Sequence, residues 1–501
     1  MRLDELVAEA GGARIVGDSS VEIADLAYDS RKAGPGTLFF CVPGEKVDGH
    51  DFAAPVVEAG AAALVVEREL DSDVAQVVVE DARAAMAPLA ARFWGEPTKK
   101  LRVVGVTGTN GKTTTAFLVR EILEGAGVSC GLLGTVKQVV GGVEEAVERT
   151  TPEAIDLQAT FRRMLDGGDR VCAMEVSSHA MALHRADAID FELALFTNLT
   201  QDHLDFHADM EDYFLAKRKL FETGPGTAIV NVDDPYGRRL AEEFECVTFS
   251  AEGAPADYSA RNVSFDSTGA RFTIALPNPG SMGRKRDDSS RNRPVGGEVA
   301  VRVGMPGHFN VANALGAFAV AEALGVEPET AAAGLAKAAR VPGRFEPVDE
   351  GQGFAVLVDY AHTPDSLENV LRAARRITEG RLIAVFGAGG DRDRDKRPKM
   401  GRAGAELADL AIVTSDNPRS EDPAAIVAEV TAGAEGPAEL EVEVDRRAAI
   451  ALALGRAEPG DTVVIAGKGH EPGQEFEGGR KVPFDDRDVA GSELRKLGNP
   501  A

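Results

Sequence analysis

Cysteine is scarce in this chain of 501 residues: Cys41, Cys130, Cys172 and Cys246 are the only four, and they lie far apart. With no CxxC pair, neither a zinc site nor a disulfide framework is indicated, and a reducing compartment is expected. Positive charge is also short. Lys and Arg number 55 against 81 Asp and Glu, a formal charge of −26. Such a chain has no diffuse positive field to hold a nucleic-acid backbone, so nucleic acid is excluded as its main partner. A small phosphorylated ligand is not excluded, because it needs only a local pocket. No run approaches the ~18 apolar residues of a membrane span. The opening Met1-Arg2-Leu3-Asp4-Glu5 carries acids where a secretory signal needs an apolar core. The expectation is a cytoplasmic monomer with no membrane insertion.

What is present is a globular profile, 44% apolar and 27% charged. At ~150 residues per domain the length suggests about three domains. Two breaks, Gly95-Glu96-Pro97-Thr98 and Val341-Pro342-Gly343, give candidate domains 1–98, 99–340 and 341–501. The first mixes short strands (Leu38–Val42, Ala62–Val66) with a helix over Asp81–Trp94. From Leu101 apolar strands alternate with helices, the pattern of a parallel sheet. Strands are expected at Val103–Val106, Val171–Met174 and Leu193–Phe196, with a helix over Lys112–Glu124. Between about 251 and 303 the pattern weakens, and Asn278–Gly297 reads as a solvated loop despite Arg284, Lys285, Arg286, Arg291 and Arg293. After the second break the alternation resumes. Strands are expected at Phe354–Val358, Leu382–Phe386, Ala411–Val413 and Thr462–Ala466, with helices near Pro364–Thr378, Pro398–Leu407, Pro423–Val430 and Arg446–Gly455. The fold class is α/β in three domains: a small N-terminal α/β domain, a central P-loop ATPase-like domain on a mostly parallel sheet, and a C-terminal doubly wound, Rossmann-like domain.

The sharpest motif is Thr107-Gly108-Thr109-Asn110-Gly111-Lys112-Thr113-Thr114, between a predicted strand and a predicted helix. Small residues let backbone N–H groups approach phosphates, and the helix N-terminus adds partial positive charge. Lys112 would neutralise β/γ-phosphates and the Thr113 hydroxyl would hold Mg²⁺. Val106 stands where the usual spacing has its first Gly, so the loop is a variant. Met174-Glu175-Val176-Ser177-Ser178-His179 ends a strand in a carboxylate, a position suited to a nucleotide-bound Mg²⁺. In Asn198-Leu199-Thr200-Gln201-Asp202-His203-Leu204-Asp205-Phe206-His207, His203 and His207 are spaced i,i+4; they are two metal ligands or two ordinary histidines. Around Lys217, the residues Tyr213, Phe214, Leu220 and Phe221 fall three or four positions away, which puts the lysine on a helix's apolar face. Burial depresses a lysine pKa; the neutral amine can then take up CO₂ as a carbamate, an anionic oxygen ligand for Mg²⁺. The alternative is a lysine that snorkels to solvent. Gly307-His308-Phe309-Asn310-Val311-Ala312-Asn313 opens a helix with two amides on one face. Arg344 and Asp359 follow a domain break and end a strand. Gly389-Gly390-Asp391-Arg392, Asp416-Asn417-Pro418-Arg419 and Gly467-Lys468-Gly469-His470-Glu471 leave the carboxyl ends of predicted strands, where open α/β sheets bind ligands.

These motifs, in this order, resemble the Mur ligases, the ATP-dependent amide-forming enzymes of peptidoglycan assembly, over nearly the whole chain. The resemblance implies a UDP-end domain, an ATP domain and an amino-acid domain. It assigns Gly108, Thr109, Asn110, Gly111, Lys112, Thr113 and Thr114, with Asn198, Asn310, Arg344 and Asp359, to ATP. Thr113, Glu175, His203 and a carbamylated Lys217 would ligate Mg²⁺, with Lys112, Lys217 and His203 in the catalytic machinery. Tyr28-Asp29-Ser30-Arg31 and the loop Gly44-Glu45-Lys46-Val47-Asp48-Gly49 resemble the uridine-side loops. Tyr28, Ser30, Thr150, Thr151, Ser177, Leu183 and Arg185 match contacts to UDP-N-acetylmuramoyl-L-alanyl-D-glutamate. The implied second substrate is meso-diaminopimelate, through Arg392, Asp416, Asn417, Pro418, Arg419, Gly467 and Glu471. The chemistry fits: Asp416 and Glu471 offer anions to a distal ammonium, and Arg419 offers a planar fork to a carboxylate. L-Lysine is the alternative amino acid, and an Asn-Pro turn with a solvated arginine is the alternative reading of the motif. A folylpolyglutamate-synthetase-like ligase would share the phosphate loop and the lysine helix but not the Asp-Ser-Arg first domain. A non-catalytic nucleotide switch would need neither Lys217 nor His203.

Overall fold

The computed structural model describes residues 1–8, 12–44, 47–147, 149–266, 269–277 and 297–498. Glu45-Lys46 of the uridine-side loop and the basic cluster within 278–296 lie outside the described residues. Contacts divide the chain into two compact units: Met1–Gly105 with Val128–Ala194 and Lys219–Gly226, and Val106–Gly127 with Leu195–Arg218 and Thr227–Ala501.

The first unit contains a five-stranded sheet in the order Arg14–Val16, Ala75–Val78, Ala63–Val66, Thr37–Phe40, Asp25–Ala27. All neighbours are parallel except the first pair. A parallel sheet is covered on both faces, so its strands read as unbroken apolar runs. Leu38, Phe40 and Val65 point into one core, Phe39, Leu64 and Val66 into another. Helix Ala82–Phe93 closes the first core with Met86, Leu89 and Ala90. Its start is set by Asp81, whose Oδ1 accepts from the Arg83 and Ala84 amides at 2.8 and 2.9 Å. Further along, Cys130–Leu133 and Val171–Glu175 pair in parallel, and helix Ala154–Asp166 contributes Ala154 and Ile155 to the same first core.

In the second unit helix Lys112–Gly125 packs on His308–Ala323 and Pro328–Lys337. Thr227–Asn231 and Cys246–Ser250 pair in parallel. The weakly patterned stretch after 251 forms antiparallel strands, Tyr258–Asp266, Gly269–Ala275 and Glu298–Val303. One face of this ribbon is buried and the other wet, as the alternation in Glu298–Val303 shows. Alternating wet and buried positions leave no continuous apolar run of the kind a buried parallel strand shows, which is why the sequence pattern fades there.

The later part of this unit is a six-stranded sheet in the order Glu346–Pro347, Ala355–Asp359, Thr462–Ala466, Leu382–Phe386, Leu410–Val413, Glu439–Val442. Only the two-residue edge strand runs antiparallel. Alternate residues feed two cores. Leu357, Phe386, Val413 and Val464 meet helices Pro364–Arg375, Lys396–Leu407 and Pro423–Ala432; Val358, Val385, Ile412 and Ile465 meet Arg446–Arg456 and Asp486–Gly498. Helices on both faces make this the expected doubly wound sheet, and the loops after Asp359, Phe386, Val413 and Ala466 all leave the same edge. Two expected helices shift at their ends: the first stops at Arg375 and the second begins at Lys396.

A fully buried ion pair fixes that edge. Arg446 Nε and NH2 donate to Asp486 at 2.8 and 2.6 Å, and the same guanidinium donates to the carbonyls of Ser415 and Ala466 at 3.3 and 3.1 Å. One arginine thus ties two helix starts to two strand ends. Removing one partner leaves a buried charge unmatched, so Asp486→Ala is expected to lower unfolding free energy by about 3–5 kcal/mol. Urea denaturation followed by circular dichroism checks this; a loss below about 1 kcal/mol contradicts the role.

Candidate functional site

Strand Arg102–Thr107 delivers the phosphate loop and helix Lys112–Gly125 begins at its end. Gly108 has φ +144°, and a Cβ there would stand 1.9 Å from Thr197 Oγ1; Gly111 has φ +85°, and its Cβ would stand 2.3 Å from Asn313 Oδ1. Only glycine fits either place. The loop is held from the neighbouring segment: Asn198 Oδ1 accepts from the Asn110 amide at 2.9 Å, the Asn198 carbonyl accepts from the Thr109 amide at 2.8 Å, and Thr197 Oγ1 donates to the Asn110 carbonyl at 2.7 Å. Lys112 Nζ donates to the carbonyls of Gly108 and Thr109 at 3.0 and 2.8 Å.

Lys217 lies on the apolar face of helix Met210–Glu222, as the spacing requires, and is 1% exposed. Its Nζ donates to the Gly108 carbonyl at 2.8 Å and sits 4.6 Å from the centre of the Tyr213 ring. Burial, with Lys112 nearby, pushes its pKa well below the ordinary lysine range. The snorkelling alternative is therefore corrected: the side chain points inward, while Arg218 pairs with Glu243 at 2.5 Å on the outside. Tyr213 OH lies 3.2 Å from Thr109 Oγ1, joining the lysine helix to the phosphate loop. His203 and His207 do not share a helix face. They close one turn ahead of that helix, with the His207 amide donating to the His203 carbonyl at 2.9 Å and His203 at φ +57°.

The five other expected nucleotide residues, Thr113, Thr114, Asn310, Arg344 and Asp359, lie within this unit. Arg344 NH2 donates to Thr113 Oγ1 at 3.1 Å, and its guanidinium stacks 4.4 Å from the Tyr360 ring centre. Asp359 Oδ2 accepts from the Phe345 amide at 2.7 Å; burial raises its pKa against the opposing pull of Arg344. Asn310 Oδ1 accepts from Asn313 Nδ2 at 3.4 Å, and Asn313 Oδ1 accepts from Thr115 at 3.4 Å. Thr114 is buried in the first turn of the loop's helix.

At the carboxyl edge of the doubly wound sheet, Lys468 Nζ donates to Asn417 Oδ1 at 2.9 Å and to Glu471 Oε2 at 3.0 Å, and Asn417 Nδ2 donates to the same Glu471 oxygen at 2.8 Å. Asp416 is 5% exposed and its Oδ1 has no hydrogen-bond partner. Gly467, at φ +128°, lets the chain pass it; a Cβ would stand 2.7 Å from Asp416 Oδ2. Pro418 leads into Arg419, which has φ +51°, donates from Nε to Glu475 at 3.1 Å and from NH1 to the Gly390 carbonyl at 2.7 Å. Arg392 is exposed, with NH1 on the Asp391 carbonyl. Left-handed non-glycine residues cost energy and gather at functional sites; His203, Phe345, Asp391 and Arg419 all belong to these loops.

The first unit holds the other expected residues. Glu175, 1% exposed, accepts from the Thr135 amide at 2.7 Å. Thr151 Oγ1 donates to the Glu175 carbonyl at 2.9 Å and accepts from the Ser177 amide at 3.2 Å. Thr150 Oγ1 lies 3.0 Å from Thr135 Oγ1. Ser177 caps helix Ser178–Ala182, and Leu183 ends it. Arg185 NH1 donates to the Thr151 carbonyl at 3.3 Å, and Tyr28 OH to Asp156 at 2.8 Å. Ser30 begins a short 3₁₀ turn capped by Asp29.

Sequence reading missed Asp202 as a junction. It is 6% exposed and faces His203, His362 and Lys396 at 3.5, 3.7 and 3.6 Å. Burial alone would raise its pKa, but the neighbouring His203, His362 and Lys396 hold it well below the carboxylate range. It missed Asp365 too, which accepts from Asn110 Nδ2 at 2.9 Å, and it gave Lys468 no role of its own within its loop, although the side chain is buried at the centre of the Asn417–Glu471 cluster. Their signal was position alone, beside motif residues, since long-range partners leave no periodicity.

A strand–glycine loop–lysine–helix unit feeding a doubly wound domain defines a phosphate-loop protein of the α/β class. Family models match in three consecutive stretches: the Mur ligase family catalytic domain at 22–94, the Mur ligase middle domain at 106–321 and the Mur ligase glutamate ligase domain at 343–469. A Streptomyces coelicolor protein named UDP-N-acetylmuramoyl-L-alanyl-D-glutamate–2,6-diaminopimelate ligase is 48% identical, covering 96% of this chain and 94% of its own. A solved structure of a protein of that same name covers 100% of this chain and 99% of its own at 30% identity and a TM-score of 0.68. A MurF ligase from Thermotoga maritima, solved with ADP, shares the fold at a TM-score of 0.66 and 20% identity, covering 95% of this chain and 99% of its own. The chain belongs to the Mur ligase family, and it is an ATP-dependent ligase.

Proposed function

We infer that this chain joins meso-diaminopimelate to the D-glutamate carboxylate of UDP-N-acetylmuramoyl-L-alanyl-D-glutamate, with ATP converted to ADP and phosphate, in peptidoglycan biosynthesis. The observation that carries the reading is 48% identity, over 96% of this chain, to a relative named as a ligase of that nucleotide and 2,6-diaminopimelate. The residues support it step by step. A carboxylate resists attack by an amine until one oxygen becomes a leaving group, and transfer of the γ-phosphoryl group makes an acyl phosphate. Such transfer needs positioning and charge more than covalent help. In this reading residues 1–98 take the uridine end, 99–340 take ATP and 341–501 bring the amino acid. Gly108–Thr114, Asn198, Asn310, Arg344 and Asp359 hold ATP, with Lys112 as the charge clamp. Tyr28, Ser30, Thr150, Thr151, Ser177, Leu183 and Arg185 hold the acyl substrate. No helix among the described residues is long and apolar enough to cross a membrane, and the need for ATP supports a cytoplasmic setting.

Thr113, Glu175, His203 and a carbamylated Lys217 would hold Mg²⁺. The oxygen donors fit: a buried carboxylate, a hydroxyl and an amine whose burial favours its neutral, carbamate-forming state; the His203 imidazole is the softer member of the set. Bound there, Mg²⁺ would neutralise phosphate charge and polarise the transferring group.

The basic test is phosphate release with the muramoyl-dipeptide nucleotide and a panel of amino acids; no release with diaminopimelate would overturn the function. Lys112→Ala is expected to keep the fold and to cost about 2–4 kcal/mol of barrier, roughly 30- to 1000-fold in kcat. Near-normal turnover would remove Lys112 from the reaction.

Lys217→Ala is expected to lose activity and to regain part of it with added short carboxylates, which would replace the carbamate. An unmodified ammonium in a high-resolution map of active enzyme contradicts carbamylation.

Selection of the amino acid follows from Asp416, whose buried Oδ1 accepts no hydrogen bond and has only the Lys468 ammonium near it, at 3.8 Å, and from Arg419, whose guanidinium is fixed in direction by Gly390 and Glu475. Diaminopimelate has a distal carboxylate for that fork; lysine does not. Losing the contact between that carboxylate and the remaining guanidinium edge costs about 1–3 kcal/mol, so kcat/KM should favour diaminopimelate by roughly 5- to 160-fold, and Arg419→Ala should erase most of the preference. Equal use of lysine by the unsubstituted enzyme refutes this.

A further inference from the structure

In the first unit, one buried carboxylate faces three guanidiniums. Glu153 is 4% exposed. Its Oε1 accepts from Arg149 NH1 at 2.6 Å and lies 3.0 Å from Arg185 NH2, while Oε2 lies 3.5 Å from Arg83 NH1 and has no hydrogen-bond partner. The arginines come from separate segments. Arg83 is in the first turn of helix Ala82–Phe93, Arg149 precedes helix Ala154–Asp166, and Arg185 follows helix Ser178–Ala182. Asp156, the next acid along, is taken up by the Tyr28 hydroxyl.

Three positive charges against Glu153 and the neighbouring Asp156 still leave a positive surplus, in a chain whose overall balance is −26. Packing like charges into a half-buried place is unfavourable unless an anion completes it. The crowding is visible at Arg185, where burial lowers the pKa and both other arginines lower it further against Glu153. Its buried Nε has no hydrogen-bond partner. Arg83 and Arg149 retain 26% and 52% of their side-chain exposure, so a ligand can reach them. A planar guanidinium fork matches a carboxylate or a phosphate in two parallel hydrogen bonds.

We propose that Arg83, Arg149 and Arg185, held in place by Glu153 as a positioning residue, form a receptor for an oxyanion of the acyl substrate. The proposal rests on the reading of that substrate above. The family resemblance carries only Arg185; Arg83, Arg149 and Glu153 come from the geometry. The substrate offers two such groups, the non-reacting carboxylate of its D-glutamate and its diphosphate.

The test compares unsubstituted enzyme with Arg83→Gln and Arg149→Gln, using the normal acyl substrate, an analogue whose non-reacting carboxylate is a carboxamide, and UDP as competitor. At least a tenfold rise in KM for the acyl substrate is expected, with kcat and the KM for ATP within twofold. If the carboxylate is the bound group, the penalty disappears with the carboxamide; if the diphosphate is, UDP inhibits the variants at least tenfold more weakly. Either result supports the receptor. A KM within twofold of normal in both variants overturns it, as does a penalty that is equal for both acyl substrates while UDP inhibition is unchanged. Glu153→Gln should raise the same KM with the same selectivity, and Glu153→Asp should restore part of it; loss of thermal stability without that KM pattern marks Glu153 as merely structural. Where Arg83→Gln fails to fold, Arg149→Gln, at the exposed rim, decides. If the unsubstituted enzyme does not turn over the acyl substrate at all, the functional reading has failed; normal turnover with indifferent variants is failure of the receptor alone.

Discussion

Burying the amine of Lys217 against the Gly108 carbonyl is the constraint on which the phosphate loop depends. A lysine with no water around it needs a fixed acceptor, and the acceptor is a glycine carbonyl that exists only because the backbone there takes φ +144°. That φ in turn needs the space a Cβ would deny to Thr197. The Tyr213 ring lies along the amine, and its hydroxyl reaches Thr109. Loop, strand end and lysine helix are therefore one object; disturbing any part changes where the others can stand.

The doubly wound sheet solves a related problem at its carboxyl edge. Loops leaving parallel strands carry unpaired backbone groups, and here a buried guanidinium collects two of them. Arg446 meets the carbonyls of Ser415 and Ala466 while Asp486 balances its charge. The neighbouring cluster of Asp416, Asn417, Lys468 and Glu471 is thus built on anchored strand ends rather than on free loops, which suits a site that must tell one amino acid from another.

What the sequence made legible follows from how each signal arises. Strands buried on both faces, such as Leu382–Phe386 and Thr462–Ala466, were readable because nothing polar interrupts them. The phosphate loop and the inward face of the Lys217 helix were readable because short-range spacing fixes both. The ribbon formed by Tyr258–Asp266, Gly269–Ala275 and Glu298–Val303 was not, since its wet face carries residues that equally suit a loop. Asp202 and Glu153 were invisible as junctions for another reason. Each has one near partner, His203 and Arg149, but the partners that make them junctions lie far away in sequence, His362 and Lys396 for the one and Arg83 for the other, and no window of a dozen residues contains those.

Glu439–Val442 ends the C-terminal sheet with one side unpaired. Leu440 and Val442 are 37% and 51% exposed, so this is a short, greasy edge of the kind that recruits further strands. At its alternate positions Glu439 and Glu441 pair with Arg456, and Glu443 follows, so an incoming copy of the same strand would meet a charged row at every second rung and would have to share or displace those ion pairs. Side-chain charge thus has a local use: a charged row guards the sheet against growing, and concentrated salt, by screening that row, relaxes the guard.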